Sequence, residues 1–303
     1  MMNNRLIKPV QIAILLILTV LHSPYAQENQ IHYDVSCSID WARGELNALA
    51  SFDLAPAGIK LPTGRYIAEE TLKEAYPLLL RPYLLSIKVD SGSVMENLVK
   101  RGELSFEDLD ILCQEAGKIT PSLSADLRSM NGRFSVLMER IGALLIRHRR
   151  PIEPSRPLIP VPAPNYTGII IIADKELPVR GRKTQVLIEP CLFPRVWDTD
   201  MNLIYERNMM EPGGQRGSQM IRYTTPENIF RPTPSGLDGE LAALAGTNPL
   251  RILAREAYGI SPTDPVIDRE DALKILSTEN NRRLLREGRV VLVLSEGMLK
   301  TAF

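Results

Sequence analysis

The chain is short of the residues on which most catalytic sites are built. Its 303 residues include three histidines and three cysteines, and aromatic residues make up 6%. It also has no excess charge of either sign, with 36 basic and 36 acidic residues. That balance argues against nucleic acid as a partner, because a phosphate-binding surface needs a basic excess. His148-Arg149-Arg150 is a short basic cluster and reads as a solvated segment end. No Gly-x-Ser-x-Gly elbow is present for serine catalysis. Pro212 to Gly217 is glycine-rich, but it has neither the Lys-Ser/Thr of a P-loop nor the spacing of a dinucleotide fingerprint, so it reads as a mobile loop. Cys37 and Cys113 have no basic neighbour in sequence to activate a thiolate.

The amino terminus is the most specific signal. Arg5 and Lys8 precede the apolar run Val10–Leu21, and His22-Ser23-Pro24-Tyr25-Ala26 follows before a polar stretch. That order marks a secretory signal peptide over 1–26, cleaved after Ala26. The apolar run is shorter than the roughly 20 residues that span a bilayer, although an uncleaved anchor is the competing reading. Loss of the segment removes Arg5, Lys8 and His22, leaving 34 basic residues against 36 acidic ones and only His32 and His148. Contact with a membrane is expected only through the signal before cleavage. Export to the periplasm or beyond permits one disulfide among Cys37, Cys113 and Cys191. The pair is unspecified, and three buried thiols fit equally well.

The clearest internal boundary is proline-rich. Residues 150–165 read RPIEPSRPLIPVPAPN, which predicts an extended, semi-rigid spacer. It divides the mature chain into an N-terminal α+β domain over 27–149 and a C-terminal α+β domain over 166–303. In the first, Tyr33–Trp41 and Glu45–Asp53 predict a hairpin about Ala42-Arg43-Gly44. A helix is expected over 65–85, kinked or cut short by Pro77 and Pro82. A second helix follows Ser105, and a second hairpin turns at Asn131-Gly132. In the second domain, Gly168–Ala173 reads as a buried central strand. Short strands are expected at 185–188, 195–197, 203–206 and 220–223, and 249–256 is strand or helix. Asp268 should cap a single helix through Arg286, stopped by Gly288 before the strand 289–294.

Few residues invite a chemical reading. Asp198-x-Asp200-x-Asn202 imitates the start of a calcium loop. Leu203 stands where that loop needs glycine, and Met209 where it needs a bidentate carboxylate, so a hairpin turn is the better account. Glu69-Glu70 and Asp108 with Asp110 read as solvated helix faces. No catalytic, cofactor-binding or metal-ligating residue is expected, and no cofactor is implied.

Several patches nevertheless resemble one family. Trp41-Ala42-Arg43-Gly44, Gly58–Pro62 to Arg65 and Ile87–Ser91 are similar to the frame of the flagellar basal-disk lipoprotein family (FlgP-like proteins). So are Tyr166–Ile171, Phe193–Val196 with Asp200 and Tyr205, Asn248–Leu250, Asp271–Leu273 and Val290–Leu294. The resemblance implies an envelope protein tied to flagella and motility that acts by assembly, in disks, rings or collars, with no catalytic residues to carry over. Its partners would be envelope proteins, including the flagellar basal body and further copies of itself. Two features depart from the family: no lipid-attachment cysteine follows the apolar run, and the longer segment 173–184 replaces a short glycine-rich turn. The rival reading is a periplasmic or secreted binding module for a peptide or envelope ligand.

Overall fold

The computed structural model describes residues 31–114, 117–212 and 219–303. The expected signal peptide with its cleavage at Ala26, and most of the glycine-rich loop after Pro212, lie outside them. The chain folds as two α+β domains.

The first domain opens with the expected hairpin, β1 (Tyr33–Asp40) and β2 (Glu45–Asp53). Helix α1 (Arg65–Ser86) follows, then the small hairpin β3 (Lys88–Asp90) and β4 (Ser93–Val94). Helices α2 (Met95–Lys100) and α3 (Phe106–Gln114) lead to β5 (Gly117–Leu123), β6 (Ser129–Leu137) and α4 (Met138–Leu145). Helix α1 runs unbroken through both prolines. Its stripe Ala68, Leu72, Tyr76, Leu80 and Leu84, spaced by four, is fully buried against the sheet. Burying each leucine stabilises by about 1.5–3 kcal/mol, which offsets the roughly 3 kcal/mol that an interior proline costs. Pro82 is exposed and Pro77 half-buried, so neither ring enters the packed face.

The second hairpin does not turn where Asn-Gly stands. Asn131 and Gly132 lie inside β6, opposite Ser51 and Ala50. The turn is Ser124–Arg128, where the Ser124 hydroxyl donates to Asp126 (2.6 Å) and accepts from the Ser129 amide (3.0 Å). Gly132 serves packing instead: a Cβ there would meet Leu72 Cδ2 of α1 at 2.9 Å.

The second domain contains β7 (Ile169–Ala173), β8 (Leu177–Pro178), β9 (Gln185–Val186), β10 (Val196–Asp198), β11 (Leu203–Tyr205) and β12 (Arg222–Thr224). Helix α5 (Gly239–Ala245), β13 (Leu250–Tyr258), β14 (Asp264–Ile267), α6 (Arg269–Leu276), α7 (Glu279–Arg286), β15 (Val290–Leu294) and β16 (Lys300–Ala302) complete it. The main sheet has the order β11-β10-β14-β13-β7-β15-β12, and β13, β7, β15 and β12 run parallel. Both its faces are covered, which is why β7 and β15 read as continuous apolar runs. Ile169, Ile171, Val290 and Leu292 join the large core, whereas Ile170, Val291 and Val293 pack with Leu241 and Ala245 of α5. The helix expected over 268–286 is two helices. Thr278 ends the first by capping the second, its side chain accepting from the Asn281 amide. Asp268 stands at the start of α6, but its carboxylate pairs with Arg255 (2.7 Å) rather than capping.

Two features depart from the expected division. The last strand crosses the expected division: β16 pairs antiparallel with β1, giving the first sheet the order β16-β1-β2-β6-β5. The proline-rich segment is not a free spacer but a strap laid along the second domain. Its Ile152 amide donates to the Asn208 carbonyl (2.7 Å), and its Val161 amide donates to Ser277 Oγ (2.9 Å). Glu153 accepts from Arg286 (2.6 Å). Asn281, 1% exposed, accepts from the Tyr166 amide (3.0 Å) and donates to the carbonyls of Pro164 (3.0 Å) and Lys274 (2.9 Å). Asn281→Ala strands these three backbone groups, and each unmet buried group costs about 1–3 kcal/mol. The expected result is a loss near 3 kcal/mol in thermal unfolding.

Candidate functional site at the domain seam

The features best placed for function lie where the two domains meet, and the first hairpin builds one side of that seam. Its tip is Trp41 to Gly44, with Gly44 at φ +68°. Trp41 is 4% exposed. Its indole N–H donates to Thr301 Oγ1 of β16 (3.0 Å), and its ring meets Tyr223 of β12 edge-on at 5.8 Å. The Tyr223 hydroxyl in turn donates to the Cys191 carbonyl (2.8 Å) and accepts from its amide (3.1 Å). Burial holds the Tyr223 hydroxyl well above its ordinary pKa, so it stays a donor.

The loop after Cys191 then pairs with β3: the Leu192 amide donates to the Lys88 carbonyl (3.0 Å), and the Phe193 amide to that of Val89 (2.8 Å). The Ser261 amide donates to the Ser91 carbonyl (2.8 Å). Gly259, at φ +114°, lets the backbones approach there, since a Cβ would overlap Ser91. Behind this contact lies Asp264, 0% exposed. It accepts from the Arg195 amide (3.1 Å), Thr263 Oγ1 (2.9 Å) and Trp197 Nε1 (3.4 Å). Burial raises its pKa above the ordinary carboxylate value, although these donors pull the other way.

Two clefts of about 400 Å³ each open on the seam. The first lies at the carboxyl ends of β12 and β15, beside the hairpin tip. Ligands of open α/β sheets bind at the carboxyl ends of parallel strands. Arg43, Arg222 and Lys300 line it together with Asp40, Glu240 and Glu296. Arg222 pairs with Glu240 at 3.0 Å, and Asp40 accepts from the Arg43 amide at 2.9 Å. Asn228 donates to Thr224 (3.2 Å), and Asp238 accepts from the Leu241 amide at the start of α5 (2.8 Å). The lining contains no histidine or cysteine. Such a surface can hold a polar or zwitterionic group between opposite charges. The hydroxyls of Thr224 and Thr225 lack a histidine to take their proton. The second cleft runs beneath β16, between Trp41, Ile87, Pro190 and Phe303.

The residues singled out in the sequence are scattered. Cys37 lies on β1, Cys113 at the end of α3 and Cys191 at the seam; all three are buried and no disulfide joins them. Burial pushes the Cys37 thiol up to about 12. His32 is exposed beside Asp34, and His148 Nε2 meets the Met210 carbonyl at 2.8 Å. Asp198 accepts from the amides of Asp200 (3.0 Å) and Asn202 (2.7 Å), so this group forms the hairpin turn between β10 and β11. Glu69 and Glu70 pair with Arg65 and Lys73 along α1, while Asp110 accepts from Arg81 across to α1 (2.8 Å). Among the described residues no cluster of three or more His, Cys, Asp or Glu is placed to hold a metal. Nor is any helix among them long and apolar enough to cross a membrane.

Sequence reasoning missed the seam. Trp41 stood at a predicted strand end with nothing to mark its partners, and Asp264 precedes Pro265–Ile267, a stretch that reads only as short and extended.

Family comparison matches both domains in order. A family model described as Treponema pallidum Tp0624, N-terminal domain, matches residues 32–144, and one described as its second domain matches residues 168–296. Neither range reaches half of the chain, and neither description mentions flagella. No curated protein matches the chain. The chain is thus similar, domain for domain, to the first two domains of that treponemal protein.

Proposed function

We propose that this chain, built from two domains like the first two of Tp0624, is a non-enzymatic assembly protein of the cell envelope. Export through the 1–26 segment would deliver it to the periplasm or outside the cell, and the flagellar motor is its first candidate partner. The supporting observation is the seam. A continuous apolar core and the β16–β1 pairing make one body of two domains, as a scaffold needs. The flagellar part rests on the sequence resemblance at Trp41–Gly44 and Val290–Leu294.

The test uses an antiserum against the protein to follow it through purification of flagellar basal bodies. Co-sedimentation is the expected result. A protein found only in the soluble periplasmic or secreted fraction overturns the motor association. The second reading, a binding module for a peptide or envelope ligand, draws on the cleft at the carboxyl ends of β12 and β15 and would then take first place.

A further inference from the structure

We propose that the outer edge of β16 takes an additional extended strand from a protein partner, with alternate side chains of that strand entering the groove beneath the edge. The register carries the inference. Thr301 lies opposite Ile39, the Phe303 amide donates to the Cys37 carbonyl (3.1 Å), and the Trp41 amide donates to the Leu299 carbonyl (2.9 Å). In an antiparallel ladder the hydrogen-bonded pairs alternate with pairs whose N–H and C=O point away. Lys300 and Ala302 are the alternate residues, so their N–H and C=O groups face outward. Both residues are exposed, and among the described residues no hydrogen bond reaches those groups.

The opposite edge of the same sheet is guarded. β5 carries Pro121 and a register shift between Ile119 and Ser122, both of which discourage pairing. β16 has neither.

The groove explains why the occupant is a peptide and what kind. Outward amides and carbonyls at strand spacing match another backbone and offer little to a lipid tail. The groove of about 400 Å³ falls in the usual range for ligand pockets, about 300–1,000 Å³. Its floor is apolar, with Ile39 and Ile87 each 1% exposed and Trp41 beside them. Apolar side chains at every second position would fill it. The far wall carries the Lys88–Glu189 ion pair. Lys300 lies opposite Asp40, on the face of the sheet away from the groove, and forms no ion pair among the described residues, so an acidic residue at the alternate, non-groove positions of the incoming strand would face it. The inference deepens the assembly reading by naming its surface, and it is tested on purified protein, apart from any basal body.

The probe is a phage-displayed random dodecapeptide library, selected on the protein purified from the cells that make it. Enriched peptides should alternate apolar and polar residues and carry an acidic residue. Ala302→Pro removes one outward N–H without touching the bonds to β1, and should weaken the selected peptides at least tenfold by fluorescence polarisation, with thermal unfolding little changed. Lys300→Glu should weaken the acidic peptides similarly. Should Ala302→Pro misfold, peptides N-methylated at alternate residues read the same contact on the unchanged protein: one methylation register should abolish binding and the other spare it. Failure to enrich any peptide, or enriched peptides indifferent to both Ala302→Pro and N-methylation, would overturn the proposal.

Discussion

Trp41→Ala is expected to lower stability by about 3–5 kcal/mol, read as a shift in the urea midpoint. The large ring is 4% exposed and touches two pieces of chain that are distant in sequence. It follows β1, packs edge-on against Tyr223 of the second domain, and holds β16 through Thr301. Truncation therefore leaves a cavity at the seam and removes the bond that fixes the last strand. Trp41→Phe separates the two effects. It keeps an aromatic ring but loses the N–H, so a smaller cost, about 1–2 kcal/mol, is expected. Equal costs for the two variants would show that the hydrogen bond, not the packing, dominates.

The second large effect is at Asp264. Asp264→Ala leaves the Arg195 amide, Trp197 Nε1 and Thr263 hydroxyl without their acceptor, and a loss of about 3 kcal/mol is expected. Asp264→Asn tests the charge through pH. The carboxyl's pKa is raised in the folded state by burial. The folded protein therefore holds this proton more tightly than the unfolded chain. Stability from this group is greatest at acid pH, falls as pH rises from the unfolded value to the raised folded value, and is constant above it. The thermal midpoint of the unchanged protein minus that of Asp264→Asn should accordingly shrink as pH is raised from about 4, then level off. A difference that grows with pH in that range would mean that the donors around Asp264 outweigh its burial.

The parts of the fold written in local pattern were legible in the sequence. β7 and β15 announced themselves as unbroken apolar runs because both faces of their sheet are covered. The first hairpin was marked by alternation on either side of Arg43-Gly44, and Gly288 marked the end of α7. Misreadings arose where tertiary contact overrides a local signal. Asn131-Gly132 has the chemistry of a turn, yet the glycine is used to bring Leu72 against the sheet. Pro77 and Pro82 carry a break signal, yet the buried stripe of α1 carries the helix past them. Prolines 151–164 suggested a spacer because nothing local reveals that Asn281, more than a hundred residues later, holds the segment down. The candidate site was the least legible part. Trp41, Tyr223, Asp264 and Thr301 come from four distant stretches, and of these only Trp41 lies in a patch that the sequence singled out.

The account turns on the two domains forming one body, because both clefts and the free edge of β16 exist only where they meet. Differential scanning calorimetry of the whole chain tests this most directly. A single transition, with calorimetric and van't Hoff enthalpies equal, is the predicted result. Two separable transitions, with Trp41→Ala shifting only the one that belongs to the first domain, would contradict it.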